Sequence, residues 1–303
     1  MKHLFIVNPI AGGKDHTCEV RAKVENAFKT RDDEFEIYVT RAPMDATEKI
    51  KAEAATGAEL RVYACGGDGT FNECVCGAAQ MPNVALCPFP TGTGNDFCRM
   101  FGDESELYRD LYALLDGSVR PIDLIDCNGR WCSNICSVGI DARIGTSVHD
   151  YSHLPLAGGA AGYVVSAVAN MFKGINRNMY IKCGDFYTEG KHALVCACNG
   201  RFYGGGFNPS LTARPDDGEL DFYIVRAVNI VTFAALIGKY AAGHADDLPK
   251  YVTHLKGTEI QIGFDEDEVI NLDGEALHSR KAFIKLVPGA ANLIVPKGMK
   301  FFD

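Results

Sequence analysis

Two glycine-rich loops and two acidic turns hold the residues of this chain that can do chemistry. An apolar stretch, Leu60-Arg-Val-Tyr-Ala-Cys65, runs straight into Gly66-Gly67-Asp68-Gly69-Thr70, and the pattern predicts a helix over 71–80. Glycines at a strand-to-helix turn let backbone N–H groups close around a phosphate, and the helix N-terminus adds the positive end of its dipole. A second loop, Pro90-Thr91-Gly92-Thr93-Gly94-Asn95-Asp96, follows a strand at 84–89 and offers hydroxyl and amide groups suited to phosphate, ribose or base. The segment Asn8-Pro9 with Gly12-Gly13-Lys14 stands in the equivalent place after the first strand. Such loops at successive strand ends point to a polyphosphate site and hence to a nucleotide. Asp68 brings a carboxylate beside those phosphates, which makes sense with a metal ion or ordered water between the charges.

The acidic turns lie further on. In Asn271-Leu-Asp273-Gly274-Glu275 the Asp-Gly pair reads either as a two-residue hairpin turn or as part of a catalytic group. In the second case Asp273 or Glu275 is a general base that takes the proton of an attacking hydroxyl. Arg214-Pro-Asp-Asp217-Gly-Glu219 poses the same choice, between a turn and a hard-cation site for Mg²⁺ built from carboxylate and backbone carbonyls. Residues 199–209, with Gly204-Gly205-Gly206, are too rich in glycine for an ordinary connection and suggest close backbone approach. Other nucleotide signatures are missing: no GxxxxGK[ST], no HRD or DFG set, and no dinucleotide GxGxxG with its acidic partner.

These loops need a scaffold. Up to about residue 125, strand and helix patterns alternate, the sign of a parallel α/β sheet. Strands are predicted at 4–7, 36–40, 60–65 and 84–89. Helices are predicted at 19–29, at 45–55 with Asp45 as N-cap, and at 104–115 with a capping box from Asp103 and Glu106. After Pro121 short strands take over, at 122–127, 131–138, 179–183, 192–198, 220–225, 258–264, 269–272 and 282–287, the spacing of an antiparallel sandwich or barrel. Helices at 160–172 and 230–242 interrupt them. The reading is α/β plus β, with an N-terminal domain over 1–121, a β domain over 122–289, and a tail at 290–303 free to return to the first.

Composition narrows the function classes. With 47% hydrophobic and 23% charged residues the chain is an ordinary globular protein. Its net charge of −9 argues against nucleic acid as a partner. Twelve cysteines lack CxxC spacing or a matching histidine cluster, so they read as small buried hydrophobes in a reducing cytosol. The N-terminal apolar run is too short for a signal peptide, and the longest apolar segment falls short of a membrane span. The expectation is a soluble cytoplasmic protein that touches a membrane surface transiently; Lys173, Arg177 and Lys182, or His278, Arg280, Lys281 and Lys285, could supply the patch, the alternative being ordinary solvated surface charge. The oligomeric state, a homodimer included, stays open.

The ordered set of motifs resembles the bacterial diacylglycerol kinase-like lipid kinases, whose catalytic domain is shared with sphingosine and ceramide kinases. The pieces are Asn8-Pro9 with Gly12-Gly13, Thr40, Gly66–Thr70 with Asn72-Glu73, Gly92–Phe97, Asn199 with Gly204–Gly206, Asp217-Gly218 and Asp273-Gly274-Glu275. The resemblance implies a three-layer α/β nucleotide-binding domain similar to that of NAD kinases and phosphofructokinases, a β-sandwich, and ATP in the cleft between them. It implies ATP contacts from Asn8, Pro9, Gly12, Thr40, Gly66, Gly67, Asp68, Gly69, Thr70, Asn72, Gly92, Thr93 and Asn95. Mg²⁺ would sit on the Asp217 side chain with the carbonyls of Arg214 and Glu219. Asp68 and Asp123 would join that metal and its waters to the active site, where Asp273 or Glu275 is the base. Glu219 and Gly94 depart from the commoner family residues without removing a required group. The implied reaction is γ-phosphoryl transfer from ATP to a lipid alcohol such as diacylglycerol; residues 151–159 and the helix at 160–172 could form the apolar entrance a lipid needs, the alternative for that helix being core packing. The rivals are a kinase of a soluble acceptor such as NAD and a non-catalytic nucleotide or lipid sensor.

Overall fold

The structure, a computed structural model, describes residues 1–91, 95–151 and 174–303. The expectations placed on Gly92, Thr93 and Gly94, on the entrance after Tyr151, on the helix at 160–172 and on Lys173 lie outside the described residues. The chain forms two compact units, residues 1–124 with 287–303, and residues 125–286.

The first unit is a parallel sheet. Strands β1 (Lys2–Val7), β2 (Glu34–Val39), β3 (Leu60–Gly66) and β4 (Val84–Pro90) lie in the order β2-β1-β3-β4. The end of the chain's last strand adds itself beside β4, where Asn292 and Leu293 pair in parallel with Ala85 and Leu86. Leu4, Phe5, Ile6 and Val7 are fully buried, as near-continuous apolar strands are when both faces of a parallel sheet are covered. Helix α1 (Thr17–Ala27) buries Val20, Val24 and Ala27, and α2 (Asp45–Ala54) buries Ala46, Ile50 and Ala54. Each set follows the three-to-four spacing of one helical face.

Three local expectations need correction. Helix α3 spans Asp68–Ala78 and starts three residues before the predicted position, because Gly67 is already its extended N-cap. Asp45 is inside α2 rather than its cap; its carboxylate accepts from the Arg41 N–H and the Tyr38 hydroxyl, both at 2.8 Å. The helix predicted at 104–115 is broken. After α4 (Asp96–Arg99) a 3-10 turn covers Gly102–Arg109, and α5 (Leu111–Leu115) then starts afresh. Asp110 takes an extended conformation there and caps α5 by accepting from the Tyr112 and Ala113 amides. Of the supposed capping box nothing forms; Glu104 beside it instead accepts from the Lys300 and Phe301 amides at 3.0–3.1 Å.

The second unit is antiparallel. Its strands are β5 (Ser118–Cys127, which begins in the first unit), β6 (Arg130–Cys132), β7 (Ile135–Gly139), β8 (Arg177–Cys183), β9 (Phe186–Cys198), β10 (Leu220–Arg226), β11 (Val252–Gly257), β12 (Glu259–Leu272) and β13 (Glu275–Val295). The order β11-β10-β9-β7-β12-β13 forms the main path, with β8 between β9 and β12 over another stretch. The predicted strand at 131–138 is two strands, and those predicted at 258–264 and 269–272 are one long strand whose register shifts between Gly263 and Glu268. β11 was not anticipated. Residues 193–198 are buried without interruption because β9 separates two cores. Val195 and Ala197 face one, with Ile181, Phe222 and Ile262; Leu194, Cys196 and Cys198 face the other, with Tyr223 and Val225. Helix α6 (Ile140–Tyr151) follows β7, and α7 (Ile230–Ala241) lies against the second core through Phe233 and Tyr240. All twelve cysteines are free thiols, nine of them buried.

Candidate active site

The glycine-rich loops of the first unit are gathered at the carboxyl ends of its parallel strands, where open α/β sheets bind ligands. Asn8, just past β1, donates from Nδ2 to the Thr70 hydroxyl at 3.2 Å, and its Oδ1 accepts from the Ile10 amide. Gly12 and Gly13 follow with φ of 68° and 74°, a region closed to most side chains. Past β2, Thr40 donates from its amide to the Val7 carbonyl at 2.9 Å and from its hydroxyl to the same oxygen at 3.4 Å. Past β3, Gly66 leaves no room for a Cβ, which would run into the Thr70 hydroxyl. Gly67 then turns the chain, and Gly69, Thr70 and Asn72 stand in the first turns of α3.

Asp68 is the link to the loop after β4. Its Oδ1 accepts from the Asp96 amide at 2.7 Å, next to Asn95, the N-cap of α4. The carboxylate therefore fixes one loop to another, in addition to facing the first turn of α3. Asp123, in β5, is buried and accepts from the Gly289 amide at 2.8 Å.

In the second unit Asp273 and Gly274 form a two-residue hairpin turn between β12 and β13, with φ of 53° and 103° and Leu272 paired to Glu275. Left-handed conformation at both positions is the demand that Asp-Gly meets well. The turn reading and the chemical reading coincide at one place. The Asp273 carboxylate accepts from the amides of Ser133 (2.7 Å), Asn134 (3.1 Å) and Ile135 (2.8 Å), from the Ser133 hydroxyl (3.0 Å) and from the Cys132 thiol (3.1 Å). Its oxygens are thus committed to a nest of buried donors. Glu275, two residues on, is exposed.

The same 132–134 loop anchors the glycine-rich segment. Asn199 is fully buried and donates from Nδ2 to the Ser133 carbonyl at 2.7 Å, and its amide reaches the Asn134 carbonyl. Asn134 in turn donates to the Phe202 carbonyl. Arg201 donates to the Ala213 carbonyl at 2.9 Å, tying this segment to the Arg214–Glu219 turn. There Arg214 pairs with Asp216 at 3.0 Å, and Asp217 accepts from the Glu219 amide at 3.1 Å with Gly218 at φ 76°. Partial desolvation holds the Asp217 carboxyl above its ordinary range.

The structure therefore brings Asn8, Thr40, Gly66–Thr70 and Asn95 together, and joins Asp273 to Asn199 and the Asp217 turn through intermediate loops. It shows no direct contact between Asp273 and Asp217. Ser133 and Asn134 were missed by the sequence reading; a Ser-Asn pair interrupting an apolar strand was the available signal. Among the described residues no cluster of three or more His, Cys, Asp or Glu forms a metal cage. The exposed Asp217 carboxylate nevertheless fits Mg²⁺, which takes few protein ligands and keeps its waters. Among the described residues no helix is long and apolar enough to cross a membrane.

Comparison with known proteins identifies the family. Residues 2–127 match the diacylglycerol kinase catalytic domain, and residues 134–295 match the YegS C-terminal NAD kinase beta sandwich-like domain. The chain is 30% identical over 283 residues to the "Probable lipid kinase YegS-like" of Pseudomonas aeruginosa, covering 92% of this chain and 90% of that one. It is 27% identical over 278 residues to the diacylglycerol kinase of Bacillus subtilis, covering 89% and 88%. A solved structure from Bacillus anthracis str. Sterne superimposes with a TM-score of 0.75 at 28% identity, over 97% of this chain and 96% of that one. Family membership implies nucleotide use. The chain belongs to the diacylglycerol kinase-like family and is a phosphotransferase of that type.

Proposed function

We propose that this chain transfers the γ-phosphoryl group of ATP to the hydroxyl of diacylglycerol or a similar lipid alcohol. The carrying observation is the hydrogen-bonded cluster of strand-end loops, in which Asn8 reaches Thr70 and Asp68 reaches the Asp96 amide. The names of the curated relatives, lipid kinase and diacylglycerol kinase, support the choice of acceptor. The N-terminal unit is read as a three-layer α/β domain of the NAD kinase and phosphofructokinase kind.

In this reading the backbone of Gly66–Thr70 and the α3 N-terminus hold the phosphates, with Asn8, Pro9, Gly12, Thr40, Asn72, Gly92, Thr93 and Asn95 around the nucleotide. Preorganised donors of this kind supply most of the catalysis in phosphoryl transfer, which is largely positioning and charge stabilisation. Asp217, with the carbonyls of Arg214 and Glu219, would hold Mg²⁺, whose charge offsets that of the phosphates. Asp68 and Asp123 keep the surrounding loops in register. Glu275 is the base: its exposed carboxylate takes the proton of the acceptor hydroxyl as that oxygen bonds to the γ-phosphorus, and ADP leaves with the bond it gives up. Asp273 is a positioning residue, since its oxygens already accept from Ser133, Asn134, Ile135 and Cys132. A lipid acceptor requires contact, at least transiently, with the cytoplasmic surface of a membrane.

The test is transfer from labelled ATP, with and without Mg²⁺, to a panel of lipid alcohols in mixed micelles, beside NAD and soluble polyols. A labelled lipid that vanishes with Glu275→Gln is the expected result. Label only in NAD or a polyol would overturn the lipid assignment, and ATP binding without transfer to any acceptor would leave a sensor.

A further inference from the structure

Helix α7 is apolar on every side. Phe233, Leu236, Ile237 and Tyr240 turn inward, against Leu194, Val225 and Val252. The outward stripe is uncharged as well: Ile230 is 46% exposed and Val231 74%, and Ala234, Ala235 and Gly238 are exposed beside them. A helix with two apolar faces is normally enclosed. The first charge on this one is Lys239.

Three exposed cations lie on it or on segments packed beside it: Lys239 near its end, Arg226, whose amide bonds the Tyr251 carbonyl, and Lys250, over the Tyr251 ring, with Tyr251 on the same core as Leu236 and Ile237. Two exposed acids stand near them, Asp246 hydrogen-bonded to His254 at 2.9 Å and Asp247 to His244 at 3.2 Å, so the cations outnumber the acids three to two. On a chain whose net charge is −9, an uncharged apolar stripe with a cationic rim is complementary to an anionic lipid surface. It is poorly matched to a second copy of the chain. Twelve residues of helix run about 18 Å and present on the order of 200 Å², against roughly 800 Å² per partner in a stable dimer.

We propose that the outward stripe of α7, rimmed by Arg226, Lys239 and Lys250, is the surface by which this protein docks on an anionic phospholipid bilayer. The helix lies in the headgroup layer with Ile230 and Val231 dipped below it. The choice of occupant rests on the lipid-kinase reading; the surface itself does not.

The full chain is sedimented with vesicles of phosphatidylcholine alone and of phosphatidylcholine mixed with phosphatidylglycerol, with no nucleotide, metal or acceptor present. Binding to the mixed vesicles, weak binding to the neutral ones and release by salt are expected. Val231→Glu should lower the partition roughly tenfold or more, and Lys239→Gln about fivefold. Both side chains are exposed, so both variants should melt with the parent; Ala235→Glu replaces Val231→Glu should the latter melt early. Undiminished binding of the glutamate variant, or no binding of the parent to mixed vesicles, would overturn the proposal. So would a parent dimer that the variant splits in ultracentrifugation, which would make the stripe a self-interface. A parent that labels lipid in micelles but ignores vesicles refutes the surface alone. One that binds vesicles but labels only a soluble acceptor refutes the lipid-kinase reading alone.

Discussion

Asp273 and Glu275 stand two residues apart, and their carboxylates have different surroundings; on the proposed reading Glu275 is the base and Asp273 a positioning residue. Replacing Asp273 by Asn separates carboxylate from turn, because Asn-Gly suits the left-handed turn at least as well as Asp-Gly. What changes is the nest. The amides of Ser133, Asn134 and Ile135 all point at the Asp273 oxygens, within 3.1 Å, and an amide NH₂ in place of one oxygen turns an acceptor into a donor facing donors. Ser133, Asn134 and Ile135 are buried, so each N–H left without a partner costs about 1–3 kcal/mol. The Asn134 amide reaches both oxygens, so losing one strands a single amide, Ser133 or Ile135, and one side-chain donor, together about 2–6 kcal/mol against the roughly 5–15 kcal/mol that holds a folded protein. The melting midpoint should fall by roughly 10 °C. The chain's one tryptophan, Trp131, sits next to this loop, so its fluorescence should report the change directly. Glu275→Gln, on an exposed side chain, should melt within about 0.5 kcal/mol of the parent while turnover drops roughly 10²–10⁴-fold. The reasoning is refuted if Asp273→Asn melts with the parent and loses turnover as completely as Glu275→Gln, for then Asp273 acts on substrate.

Other outcomes follow from the same geometry. Gly66→Ala drives a methyl into the Thr70 hydroxyl and should cost about 1–3 kcal/mol of stability, with ATP affinity, read by calorimetry, falling more than the melting curve alone explains. Asp68→Ala removes the acceptor of the Asp96 amide and should cost about 1.5–3 kcal/mol, with faster hydrogen exchange at Asp96 as its signature. Burial lowers the His3 imidazole from 6.5 to about 4, so the unfolded chain binds the proton first and about 3 kcal/mol of stability is lost as pH falls from about 6.5 to 4. Burial raises the Asp141 carboxyl from 3.8 to about 6, against the opposing hydrogen bond from Tyr203; the folded chain then binds the proton first, and a similar amount is lost as pH rises from about 4 to 6. The two slopes oppose each other, so denaturant titrations of Asp141→Asn should show stability climbing with pH across that window, where the parent is comparatively flat.

The parts of the site that are legible in the sequence are those fixed by near neighbours. Leu60–Gly66 reads as a strand because its residues are buried on both faces. Gly66 reads as special because the clash that forbids a side chain comes from Thr70, four residues away. Helix α7 was legible to within a residue because its apolar character is continuous. Errors arise where the deciding partner is distant or where one local signal hides another. Asp110 holds a sufficient local cap, yet the leucine spacing around it suggests one uninterrupted helix. The bulged strand β12 looks like two because Asp265, Glu266 and Asp267 fall in its middle. The duty of Asp68 depends on an amide 28 residues on. The duty of Asp273 depends on amides 138 to 140 residues back. A sequence shows that a carboxylate is present at a turn; whether its oxygens are open to a substrate or already taken by backbone donors is a property of the folded chain. Here that difference separates an exposed carboxylate from one already committed to backbone donors, which is why Asp273 and Glu275 look equivalent in the motif and are not equivalent in the fold.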